Sequence, residues 1–187
     1  MRRIVLTYGL LAGALLSAMM AVSMSFIDRI GHDRGMVVGY TSMVLAFLFV
    51  YFGVRSYRDT AGGGSIGFGR ALGVGLLIAL VTSLCYVATW EVMYFGGFVP
   101  DFAANYTAHV LAKAKAAGAT AESLARQARE MEELWKSYQN PLVNVAYTFL
   151  EVFPVGLVMS LVSAGLLRSR RGTETRPAGV ESTSLAM

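Results

Sequence analysis

Charged residues along this chain fall in short clusters, and four long stretches between them are almost free of charge. The first covers residues 4–27 and the second 36–54. The third begins near Ala71, is uncharged up to Glu91 and reaches about Phe95, before Gly96, Gly97 and Pro100 break it. The fourth, 142–167, contains Glu151 and Pro154. A helix crosses the hydrocarbon core with about 20 apolar residues, so each stretch predicts one crossing. The fourth has the least margin. Its 14 Leu, Ile, Phe and Val residues favour insertion by roughly 4–8 kcal/mol in total, while a central acid opposes it by about 3 kcal/mol. Arg2 and Arg3 precede the first stretch as they would in a secretory leader. However, the apolar part of a leader is about 7–15 residues long. The best small-residue cleavage context, Ala21-Val22-Ser23, also comes late. An uncleaved helix is expected.

Residues 100–140 form the one sizeable polar insert, and its pattern predicts a helical hairpin. Phe102, Tyr106, Val110, Ala114 and Ala117 follow one helix face, Gly118 breaks the pattern, and Thr120 is placed to cap a second helix. Ala121, Leu124, Ala128, Met131, Trp135 and Tyr138 then recur three and four residues apart, as in a heptad. Leu124, Met131, Trp135 and Tyr138 are read as a contact face that either caps the bundle or meets a partner. The other face carries Glu122–Arg126, Arg126–Glu130, Arg129–Glu133 and Glu132–Lys136, all spaced to support an exposed helix. Asn140-Pro141 ends the insert. The expected fold class is all-α integral membrane: a four-helix transmembrane bundle, residues 1–168, with an extra-membrane hairpin at 102–139 between the third and fourth spans. Residues 169–187 turn to Arg, Ser, Thr, Gly and Pro and read as a disordered cytoplasmic tail.

Lipid is as apolar as leucine, so membrane helices associate through close packing at small residues. The first helix carries Gly9, Gly13, Ser17, Ala21 and Ser25, each four apart, and the second carries Gly35, Gly39, Ser42 and Ala46. Ala71, Gly75, Ala79 and Ser83 follow on the third, and Gly156, Ser160 and Ala164 on the fourth. Seams within one bundle are the simpler reading. A homodimer through the first helix is the alternative.

Composition sharpens the class. Hydrophobic residues make up 55% and charged residues 15%, where a soluble domain carries about 25% charged. A net charge of +4 and a pI near 9.4 could suit a nucleic-acid binder. The basic residues instead sit beside the apolar runs, where they anchor topology at lipid headgroups. With the N-terminus in the cytoplasm, Arg2, Arg3, Arg55, Arg58, Arg70, Arg168, Arg170, Arg171 and Arg176 lie inside, and the short outer loop holds only Arg29 and Arg34. Both termini are therefore expected in the cytoplasm. The single cysteine, Cys85, excludes an intrachain disulfide and reads as an inert buried thiol. The glycine-rich stretch 62–69 lacks the strand and the Gly-Lys-Ser/Thr ending of a phosphate loop and reads as a flexible turn.

Two acids remain as candidate chemistry. An ionisable group inside a bilayer is a functional hypothesis by default. Glu91 lies 20 residues beyond Ala71, about 30 Å along a helix. Glu151 lies 16 residues from Leu167, about 24 Å. Both fall towards the outer side, where they could face one cavity, and no intramembrane Lys or Arg is available to either. Tyr94 is the hydroxyl near Glu91, and Tyr147 and Thr148 those near Glu151. A proton- or cation-coupled site is the functional reading. The plainer one puts Glu91 at the wet interface beside Trp90, Tyr94 and Phe95, and Glu151 in a hydrogen bond within the bundle. Asp28, His32 and Asp33 would make a poor divalent site beside two arginines. His109 is set aside as catalytic, since no acid or cysteine is placed to build a triad with it. No catalytic, metal or cofactor motif is present, so neither an enzyme nor a cofactor is expected.

Several short strings give the chain a family likeness. They are Tyr8-Gly9-Leu10, Gly39-Tyr40-Thr41-Ser42-Met43, Phe52-Gly53-Val54-Arg55-Ser56-Tyr57-Arg58-Asp59, Gly63-Gly64-Ser65-Ile66, Pro100-Asp101-Phe102 with Tyr106, Asn140-Pro141-Leu142 and Glu151-Val152-Phe153-Pro154-Val155-Gly156-Leu157. In this order and spacing the chain resembles, over about residues 8–167, the bacterial membrane family called domain of unknown function 4199. The resemblance implies a four-pass bacterial inner-membrane protein with an extra-membrane helical segment before the last span. It brings no activity and no functional residues. The expectation is a structural or interaction protein in the bilayer, meeting a protein partner or a second copy through the outer hairpin, with no nucleic acid. The alternative is a small transporter or channel subunit that uses Glu151, with or without Glu91.

Overall fold

The computed structural model describes residues 1–169, without the side chains of Asp28, Ile30 and His32. The described residues form α1 (Arg2–Ser25), the single turn α2 (Ile27–Ile30), α3 (His32–Ala61), α4 (Phe68–Phe95), α5 (Phe102–Ala116), α6 (Ala121–Tyr138) and α7 (Pro141–Leu167), with no strand among them. Four of these helices, α1, α3, α4 and α7, are long and apolar enough to cross a membrane. Their limits follow the apolar runs within a few residues, except in α3. That helix continues past Val54 through the polar segment to Ala61, where Arg55 approaches Asp59 at 3.8 Å one turn on. Hydropathy marks where lipid contact stops, and the backbone ladder has no reason to stop there.

Local chemistry sets the turns. Thr120 caps α6 by accepting the Ser123 amide at 3.2 Å. Asn140 caps α7 by accepting the Leu142 amide at 3.0 Å, with Pro141 at the first helical position, where no amide is needed. After α3 the chain reverses through Gly63 and Gly64, at φ 59° and 84°. That left-handed conformation costs a glycine little. Ile66, 4% exposed, is then held by Ser169. The Ile66 amide donates to the Ser169 hydroxyl at 3.1 Å, and the Ser169 amide donates back to the Ile66 carbonyl at 2.9 Å. The tail expected from residue 169 is thus corrected at its first position, because Ser169 staples the end of α7 to the α3–α4 turn. The remainder, 170–187, lies outside the described residues.

The long helices close a ring in the order α1, α3, α7, α4, with α3 also touching α4 across it. Small residues make two of its seams. A Cβ on Gly9 would lie 2.7 Å from the Val81 Cβ, and one on Gly13 2.6 Å from the Cys85 Cβ. Thr89 donates a hydrogen bond to Ser17 at 2.8 Å. From Gly9 to Ser17 the α1 stripe is therefore occupied by α4 of the same chain. On the far side of α4, Gly75 meets Ser160, and Gly156 receives Ala79 and the Phe47 ring. Phe47, Val50, Val54, Ile78 and Val152 are fully buried in this half of the bundle.

Candidate functional site

Towards the end that carries α5 and α6 the packing opens. Gly35 and Gly39 continue the small stripe of α3, yet a Cβ on Gly39 would meet nothing within 4 Å. The space in front of it is a cavity of about 830 Å³. Leu16, Met20 and Met43 line it from α1 and α3, Tyr86 from α4, and Glu151 from α7, while Phe102, Tyr106, Trp135 and Tyr138 roof it from the hairpin. Tyr40, Tyr147 and Leu150 also line it, yet they stay 53%, 52% and 68% exposed. Together with Glu151, which is also exposed, these three form its rim, which therefore lies between α3 and α7, on the outside of the ring.

The roof is an aromatic cluster. The Trp135 indole donates to Thr107 at 2.8 Å, and its ring packs edge-on to Phe102, Tyr106 and Tyr138 at centroid distances of 5.8, 5.7 and 5.5 Å. Trp90, on α4, donates its indole N–H to the Tyr138 hydroxyl at 3.0 Å and packs on Phe102 at 4.9 Å. Burial pushes the Tyr138 phenol above its ordinary range. Beneath it, Asn144 is fully buried. Its amide donates to the Tyr138 carbonyl at 3.3 Å and its oxygen accepts the Thr148 hydroxyl at 3.4 Å. Trp135 and Tyr138, expected on a contact face, thus turn inward and cap the bundle, while Leu124 and Met131 are half-buried on the same stripe. Of the four spaced charge pairs on α6, Arg126–Glu130 closes, at 4.0 Å.

The edge of the roof is tied to α3. Lys113 donates to Asp33 at 2.8 Å, and His109 approaches the same oxygen at 3.3 Å. The acid that His109 lacks in its own hairpin is supplied from α3. Asp33 is thereby engaged with a cation and is not offered to a metal. The side chains of its proposed companions, Asp28 and His32, lie outside the described residues, which contain no group of three His, Cys, Asp or Glu able to hold a metal.

The two candidate acids part company. Glu151 lines the cavity along with Tyr86 and Tyr138, and it is the only carboxyl among the described lining residues. It forms no ion pair with a described residue. Thr148, its expected partner, is committed to Asn144, and Tyr147 sits out on the rim. Glu91 does not line the cavity. It is half-buried on α4, with one carboxyl oxygen enclosed and unpartnered. The expected shared cavity is therefore not formed, and Tyr94 packs on Trp90, Phe95 and Tyr138. Sequence reasoning missed Asn144, whose signal is an amide inside an apolar run. It also missed the role of Gly39, whose stripe looks the same beside a neighbour or beside a void.

No curated protein and no solved structure matches the chain. Over residues 7–169 the sequence matches the family described as "Protein of unknown function (DUF4199)", and the chain belongs to that family.

Proposed function

We propose that this is a four-pass protein of the bacterial inner membrane that takes a small membrane-soluble molecule into the cavity beneath its helical hairpin, as a binding or transport subunit without enzymatic activity. Both termini lie in the cytoplasm and the hairpin lies outside. The observation that carries this reading is the cavity itself. Its volume of about 830 Å³ falls within the roughly 300–1,000 Å³ of small-molecule sites, and its wall is likewise mostly apolar with a few polar groups. Glu151 and the tyrosines supply those groups. An interaction role through the hairpin draws less support, because Trp135 and Tyr138 are spent on the roof.

The test uses a neutral lipophilic fluorophore, N-phenyl-1-naphthylamine, with the full chain in phosphatidylcholine nanodiscs. Trp135 lines the cavity, so energy transfer from tryptophan reports occupancy. Saturable transfer is expected, and it should weaken in Gly39→Leu, whose side chain takes up part of the open space in front of Gly39. Transfer no greater than from empty nanodiscs with free tryptophan, or unchanged in Gly39→Leu, would refute a ligand cavity.

A further inference from the structure

We infer that the cavity selects lipophilic cations: small, mostly apolar molecules with one positive charge that enter sideways from the membrane between α3 and α7. The inference rests on the ligand-binding role proposed above and names its substrate class. Four observations converge on it. The first is charge. Glu151 is the only carboxyl among the described lining residues, and the basic lining residues Lys113 and His109 both meet Asp33 at the edge of the roof. A carboxylate in apolar surroundings is costly unless paired, and the chain offers Glu151 no ion pair among its described residues. A bound cation supplies that partner. An anion would meet Glu151 and find Lys113 already engaged.

The second observation is the wall. Tyr86, Trp135 and Tyr138 bring aromatic rings to the space that Glu151 lines, and such faces attract a cation through the ring quadrupole, more strongly when water is excluded. The third is backbone. Leu150, on the rim, precedes Pro154 by one helical turn. Proline has no amide hydrogen to give to that carbonyl, so the Leu150 carbonyl, next in sequence to Glu151, loses its usual helical donor. The fourth is the route. The rim of Tyr40, Tyr147 and Leu150 is exposed on the outside of the ring, within helices apolar enough to cross a membrane. Below it Phe47 closes on Gly156. Entry is thus from lipid on the hairpin side, and the apolar part of the ligand is what brings it there. Met20 and Met43 suit apolar groups of differing shape, since methionine adapts its packing.

The experiment adds tetraphenylphosphonium, a lipophilic cation, or its near-isosteric anion tetraphenylborate to the nanodiscs loaded with the neutral fluorophore, with empty nanodiscs correcting for lipid partitioning. The cation is expected to displace the fluorophore and the anion to do so poorly. Glu151→Gln should raise the cation concentration required, expressed relative to the fluorophore affinity of the same variant, by about tenfold or more. Glu151→Asp, which keeps the charge, should recover most of the loss. Equal displacement by both ions, or an unaltered cation midpoint in Glu151→Gln, overturns the selectivity while leaving the ligand cavity standing. Loss of neutral binding in Glu151→Gln also overturns it, since Glu151 would then be structural. If the wild-type chain binds no fluorophore at all, the cavity reading falls and the inference with it.

Discussion

Gly13 and Gly39 belong to equally regular stripes of small residues, yet their surroundings give them opposite sensitivities. A side chain at Gly13 would press on Cys85 within 2.6 Å, while one at Gly39 would meet nothing within 4 Å. Overpacking a tight seam costs about 1–3 kcal/mol. Gly13→Leu is therefore expected to lower the detergent-solubilised melting temperature clearly, and Gly39→Leu to leave it within experimental error. Equal melting of the two variants would mean that the α1–α4 seam is not as close as described. A dimer seam would behave differently again, losing crosslinked dimer and keeping its melting point. Tyr138 is the other residue whose removal should be felt. Tyr138→Phe leaves the Trp90 indole without its acceptor, a cost of about 1–3 kcal/mol for a buried donor, read as a lower melting temperature with a shifted tryptophan emission. The sequence marks such residues by type, since Gly13, Gly39 and Tyr138 all stand out as small or aromatic positions in register. It does not say which neighbour each one meets, because that depends on how far the helices splay. Gly39 reads as a seam for this reason, and Asn144 passes unnoticed among apolar neighbours.

Helices as units are easier to see, because each is fixed by local chemistry: an apolar run of membrane length, a cap at Thr120 or Asn140, a glycine turn. The ambiguity sits in the stripe on α6. Three-and-four spacing of Leu124, Met131, Trp135 and Tyr138 demands that one face be covered, and it demands the same whether a partner or the chain's own bundle does the covering. The structure puts Trp135 and Tyr138 against Phe102, Tyr106 and Trp90. That choice predicts how the roof loosens. The Lys113–Asp33 pair has side chains 63% and 58% exposed, so water and salt screen it. Trp135 combines a hydrogen bond at 2.8 Å with three ring contacts. In hydrogen exchange, Trp135→Ala should accelerate the amides of α5 and α6 strongly while α4 and α7 stay protected, and Lys113→Ala should change them little. If Lys113→Ala proved the more disruptive, the ionic tie would be the true hinge of the roof.

For the whole molecule the ring closes tightly at one end and opens at the other, so its two ends face different tasks. The closed end holds Phe47 in the Gly156 notch and the Ile66–Ser169 staple, and beside it lie Arg2, Arg3, Arg55, Arg58, Arg70 and Arg168. The open end holds the cavity and the hairpin. Arginine near span ends is retained on the cytoplasmic side, which favours the proposed orientation, with the closed end inside and the cavity towards the outer half of the bilayer. The overall totals of Lys and Arg would not have decided this, because the hairpin carries Lys113, Lys115, Arg126, Arg129 and Lys136. What decides is nearness to the span ends: these five sit on helices outside the spans, whereas the arginines of the closed end adjoin them. Alkaline phosphatase is active only outside the cytoplasm and green fluorescent protein folds well only within it. A phosphatase inserted at the Gly118 turn should therefore be active, and a fluorescent protein fused after Arg171 should glow. The converse pair, an active phosphatase after Arg171 and an inactive one at Gly118, would invert the molecule. The cavity would then draw its ligand from the cytoplasmic leaflet, with the same acid and the same aromatic wall.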